Sequence, residues 1–144
     1  MPGANIPATV IPLVASAART TSSNSGNLKD TAANLPIADA MAIYLDVTAN
    51  NSNLFVYIET SVDGGTTWYT AASFNAISST GTRRLDFHNG TFQGEVGAEG
   101  SVTYTAVTKT NTPLTRDVRV AWNIAAGSVT FAVYAVCSPM GNRG

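Results

Sequence analysis

Residues Leu54–Glu59 alternate without a break: Leu54, Val56 and Ile58 are interleaved with Phe55, Tyr57 and Glu59. A period of two sends successive side chains to opposite faces of a strand and suits no helix. The chain then meets Ser61-Val62-Asp63-Gly64-Gly65. Asp-Gly-Gly supplies residues that accept the positive φ of a tight turn. Thr66–Thr70 (TTWYT) is β-branched and aromatic, and predicts the return strand. A hairpin over Leu54–Phe74 is therefore the frame around which the remaining chain is arranged.

The same period recurs on both sides. In Ala42–Ala49 (AIYLDVTA), Ile43, Leu45 and Val47 oppose Tyr44, Asp46 and Thr48. In Thr115–Ile124, Val118, Val120, Trp122 and Ile124 point inward while Arg119, Ala121 and Asn123 point outward. Val129–Val136 returns after the Ala125–Ser128 turn. Val10–Ala18 predicts a first strand, with Pro12 at an edge or a bulge because proline has no ladder donor. Weaker strands are predicted near Phe74–Ile77, over Arg83–Phe87 and over Val102–Thr108. Asn50–Asn53 and Lys109–Pro113 predict turns. Arg19–Lys29 predicts a polar loop, and Phe87–Gly100, with four glycines, a long loop. Between Asp30 and Met41, Pro36 leaves room for one helical turn at most, with Asp30 or Thr31 as its cap.

Eight or nine short strands without an amphipathic helix predict an all-β chain. The expected architecture is an antiparallel β-sandwich or a barrel-like fold of jelly-roll or tulip-like form, with extended N- and C-terminal segments. Residues 1–9 are expected as an N-terminal arm, 10–137 as a single domain and 138–144 as a tail. The predicted core comprises Ile43, Leu45, Val47, Val56, Ile58, Trp68, Val118, Val120, Trp122, Phe131 and Val133.

Charged residues make up 12% of the chain, about half the ~25% usual for soluble domains. Hydroxyl and amide side chains fill the polar positions instead. Thr packs well on strands, and surface buried against other subunits is also poor in charge; both causes are expected to contribute. The net charge is −1 and the largest basic cluster is Arg83-Arg84, which argues against a nucleic-acid partner. The one cysteine, Cys137, permits no internal disulfide and no cysteine-based zinc site. Neither a secretory leader nor an apolar run near 20 residues is seen, so no membrane association is expected.

Candidate reactive groups are few. His88, the sole histidine, sits beside Asp86, Asn89 and Gly90 without an evident nucleophile, and predicts a solvated turn residue. Cys137 ends an apolar strand and predicts a buried, inert thiol. Asp46 and Glu59 lie opposite the aliphatic positions, as solvated side chains would. Glu95 and Glu99 flank glycines and could bind a cation weakly, without calcium-loop spacing. No catalytic, cofactor-binding or metal residue is assigned, no cofactor is expected, and the chain is not expected to be an enzyme. Ser61–Trp68 fits S-x-D-x-G-x-T-W and resembles the Asp-box, a structural hairpin signature of sialidase-type propellers and other β-proteins. One copy implies a turn, not a propeller. Asp63 should accept turn N–H groups, Gly65 should be left-handed and Trp68 should pack back on a strand.

A wider resemblance follows from these segments. LVASAARTTSSNSGN, a strand ending LDVTA, the hairpin YIETSVDGGTTWYT and the pair TRDVRVAWNI…SVTFAVYA together resemble small structural proteins of tailed bacteriophages. The resemblance covers Leu13–Ala49, the hairpin and Thr115–Ala135. It implies a non-enzymatic virion role: a decoration or cement protein on the capsid surface, made in the host cytoplasm. It also implies the major capsid protein as partner and a homo-oligomer, a trimer for preference. A tail or neck component is the alternative. A carbohydrate-binding module, with Trp68, Tyr69 and Tyr57 as a stacking platform, is the alternative from another class, and a glycosidase ranks last.

Overall fold

The computed structural model describes residues 9–30, 40–74, 76–88, 91–96 and 112–137. Its strands are β1 (Thr9–Arg19), β2 (Ser23–Asn24), β3 (Ala40–Asn50), β4 (Leu54–Ser61), β5 (Tyr69–Ser73), β6 (Gly81–His88), β7 (Thr91–Val96), β8 (Asp117–Ile124) and β9 (Val129–Cys137). They form two antiparallel sheets, one ordered β1-β9-β3-β6-β7 and the other β2-β8-β4-β5. The fold is all-β, as the periodicity predicts.

Alternation determines which side chains enter the core. Every second residue of β9, from Val129 to Cys137, is buried, and β3 and β8 follow the same rhythm. One apolar cluster takes residues from both sheets, including Ile43, Leu45 and Phe131 from the first and Val56, Ile58 and Val120 from the second. Trp122 and Phe131 meet across it, with ring centroids 5.5 Å apart and edge to face, a favoured arrangement for two ring quadrupoles. Arg19 lies over both rings, 5.1 and 4.7 Å from their centroids. Its guanidinium donates to the carbonyls of Ala15, Ala17 and Phe131, two of them beside the register break between Val14 and Ala17. The turns that carry the chain between sheets are fastened together: Asn51 Oδ1 accepts the Ser128 N–H at 2.7 Å, and Ser52 Oγ accepts that of Ala126 at 3.1 Å.

The weaker strand expected near Phe74–Ile77 is represented only by an isolated bridge between Ile77 and Leu54, and four further expectations need correction. The return strand begins at Tyr69 rather than Thr66, so a seven-residue loop, not a tight turn, joins β4 to β5. Trp68 is consequently outside the core and half-buried, whereas the other ten predicted core residues are buried. Phe87–Gly100 is not a plain loop, because β7 pairs with β6 and Phe92 packs on Phe87. His88 opposes Thr91 at the end of this pair. Nor is Arg19–Lys29 an unattached loop. It runs along the edge of β8, where Ser25 N–H donates to the Val120 carbonyl and Leu28 N–H to that of Val118. The hydroxyls of Ser22 and Ser25 accept the N–H groups of Ile124 and Val120, both at 3.0 Å. Of the expected arm 1–9, Thr9 opens β1; its residues 1–8, the helical turn before Ala40, the strand Val102–Thr108 and the tail 138–144 lie outside the described residues.

Val120 is fully buried, and Val62 is 76% exposed. Val120→Asp is expected to cost more than about 4 kcal/mol and to leave the chain largely unfolded. Val62→Asp should stay within about 0.5 kcal/mol of the parent. Urea unfolding followed by circular dichroism measures both.

Candidate functional site

The loop after β4 is built around one carboxylate. Asp63 Oδ1 accepts the backbone N–H groups of Thr66 and Thr67 at 3.1 and 2.8 Å and the Ser61 hydroxyl at 2.7 Å. Ser61 Oγ in turn accepts the Gly65 N–H at 2.9 Å. Gly64 and Gly65 have φ of 77° and 99°, which side chains with a Cβ adopt at a cost. The three roles expected of this motif are thus present: Asp63 accepts, Gly65 is left-handed and Trp68 folds back. The Trp68 indole N–H donates to the Gly65 carbonyl at 3.0 Å. The Thr67 backbone N–H, then the Ser61 hydroxyl, favour the charged form of Asp63 and hold its pKa down to about 2.

Trp68 lies on the outer face of the four-stranded sheet. The Arg119 guanidinium sits 4.5 Å from its ring centroid and is paired with Glu59 at 2.7 Å. Glu59 is therefore engaged by the neighbouring strand and not merely solvated. One face of the indole is occupied by a cation and its N–H is already donated. Tyr69, 53% exposed, is the more accessible ring, and Tyr57 is half-buried. The expected three-ring platform is thereby reduced.

The outer face of the five-stranded sheet has different chemistry. Pro12 of β1 opposes Tyr134 of β9, Tyr134 opposes Tyr44 of β3, and Tyr44 opposes Arg84 of β6. The two tyrosine rings are stacked, 5.2 Å apart and 9° from parallel. One pleat away runs a row of mostly smaller residues, Val10, Val136, Ala42, Asp86 and Gly94. A ridge therefore lies beside a trough. Along the trough lies a shallow, open depression of about 450 Å³ whose lining includes Ala42, Val136, Arg84, Asp86, His88 and Gln93. His88 is thus an exposed strand-end residue at the trough rim, not a loop residue.

The remaining candidates are structural. Glu95 is 3% exposed and paired with Arg83 at 3.4 Å; Glu99 lies outside the described residues. Asp46 accepts the Thr82 hydroxyl at 3.2 Å, and Asp117 the Asn27 amide at 2.8 Å. Cys137 is buried, and desolvation raises its pKa, which leaves little of the nucleophilic thiolate. Among the described residues, no three His, Cys, Asp or Glu side chains converge as metal ligands. Sequence reasoning missed the Trp68–Arg119–Glu59 stack and the ridge and trough. Both depend on which strands are neighbours, which periodicity alone does not state. The chain matches no protein-family model and no curated protein sequence.

Two measurements check this geometry. The Asp63 pKa is depressed when folded, so its contribution to stability is complete above the ordinary value near 3.8 and is lost as pH falls through about 2. The Tm difference between the parent and Asp63→Ala should be largest above about pH 4 and shrink toward pH 2; an Asp63 carboxyl titrating near 4 by NMR would contradict it. Arg119→Ala removes a ring contact and a half-buried ion pair and should cost about 1–2 kcal/mol, with Trp68 fluorescence shifting to longer wavelength.

Proposed function

We propose that this protein is a structural component of a bacteriophage virion that binds the outside of the head shell and stabilises it. In this reading the two sheets are the layers of an antiparallel β-sandwich of jelly-roll or tulip-like form. The proposed partners are the major capsid protein and further copies of this chain, arranged as a trimer at local three-fold positions. The role is to hold neighbouring subunits together, with no turnover of a substrate. Several weak contacts joined in one oligomer give avidity far above that of each alone.

The observation that carries this reading is how the charged groups are used. Arg19, Glu59, Asp63, Arg83, Arg84, Glu95, Asp117 and Arg119 are all engaged in pairs or hydrogen bonds within the chain. These contacts hold strands, turns and edges in place. The β1-β9-β3 part of the five-stranded sheet meanwhile offers outward Val10, Pro12, Tyr134, Val136, Tyr44 and Ala42, with Asp46, Arg84 and Asp86 toward its β6 side. A surface of that composition favours association over chemistry.

Heads assembled without this protein should lose their DNA at lower temperature than complete heads, and purified protein added back should restore the difference. Heads of equal resistance that never take the protein up would refute the proposal. Immunogold label confined to the tail vertex would transfer the protein to the tail or neck.

A further inference from the structure

The outer face of the five-stranded sheet has a shape and charge pattern that suit it to a second copy of itself. We propose that this face is the contact between copies, with the Tyr44–Tyr134 ridge of one chain seated in the Ala42–Val136 trough of the next. The inference deepens the oligomeric part of the function proposed above and rests on that part alone.

Three observations support a copy as the occupant. The first is relief. Ridge and trough lie one pleat apart, about 7 Å along the strand. A copy turned about a two-fold axis, or the next copy in a closed three-membered ring, can present its ridge to this trough while receiving one in return or passing one on. The trough lining includes Ala42 and Val136, side chains smaller than the ridge tyrosines.

The second is charge. Arg84 and Asp86 stand two residues apart on the same face at the rim. Arg84 Nε lies 2.7 Å from Asp86 Oδ1 yet has no aligned hydrogen-bond acceptor, and the second contact, from NH2 to Oδ2, is 3.3 Å. A cation and an anion side by side become complementary to the same pair on another copy. Asp86 and Tyr44 both hold the Arg84 guanidinium, so the pair is fixed on this face, where its two charges can meet the opposite charges of the same pair on another copy.

The third is extent. Five strands at ~4.8 Å, over some seven residues of strand, give roughly 550 Å² in projection. Specific interfaces at the small end bury about 600 Å² per partner. The other outer face is less suitable, since Trp68 of the chain itself already packs on its Arg119.

Sedimentation velocity over a concentration series tests the proposal on the intact chain, without any phage particle. A negative result there therefore leaves the head-binding experiment to be judged separately. The parent is expected to form a dimer or trimer. Ala42→Arg, which fills the trough with a long cation, should weaken association at least about tenfold. Val62→Asp, on a loop at the edge of the other sheet, should leave it unchanged. Thermal melts establish that both variants are folded. A second readout uses the parent alone: hydroxyl-radical oxidation of Tyr44 and Tyr134 should fall as concentration rises, with Tyr69 constant. A parent monomeric at all concentrations would overturn the proposal. So would a folded Ala42→Arg that associates normally, or protection of Tyr44 and Tyr134 independent of concentration, which would mean that the chain's own residues cover the face.

Discussion

The aliphatic faces of the two sheets share one core, and that burial dictates where ionic groups can stand. An unpaired charge among Ile43, Leu45, Val56, Ile58 and Val120 would cost several kcal/mol against a net stability of about 5–15 kcal/mol. Charge is accordingly displaced to the margins. Arg83 and Glu95 pair at the β6–β7 end of one sheet. Arg19 covers the Trp122–Phe131 contact and donates into the bulge of β1. Glu59 and Arg119 pair on an outer face. These charges fasten what the core alone leaves loose: a strand edge, a bulge or a cross-strand register.

This distribution bears directly on what the molecule can do. General acid–base or nucleophilic chemistry needs groups held at a reacting position with protonation states poised for transfer. Among the described residues the most perturbed carboxylate, Asp63, is held in its charged form by turn N–H groups, and the buried thiol of Cys137 is shifted away from its reactive form. The face that departs from this economy is the outer side of the five-stranded sheet, where Pro12, Tyr134 and Tyr44 form a ridge with little ionic character. A rigid body with such a face is suited to being held by neighbours.

Strand identity was legible in the chain wherever one face is buried and the other is not. Val118, Val120, Trp122 and Ile124 face inward and Arg119 and Asn123 outward, as the alternation states. Trp68 was misplaced because the pattern after Gly65 resembles a strand, while Asp63 holds those residues in a loop until Tyr69. The β7 strand is hidden by the four glycines of Phe87–Gly100, though Asn89-Gly90 between Phe87 and Phe92 is a usable hairpin signal. The Ser-rich run before Lys29 looked structureless because it pairs partly through Ser22 and Ser25 hydroxyls, which have no period. The ridge and trough could not be read in advance, since Pro12, Tyr134, Tyr44 and Arg84 come from four distant segments aligned only by strand order.

The central claim is that the molecule works by being bound on a larger assembly. A density map of purified phage heads, compared with one of heads lacking the protein, tests it most directly. The prediction is discrete extra density outside the shell at local three-fold positions, into which the two-sheet body fits with its five-stranded sheet facing other copies. Identical maps, with no density on the particle attributable to this chain, would contradict it.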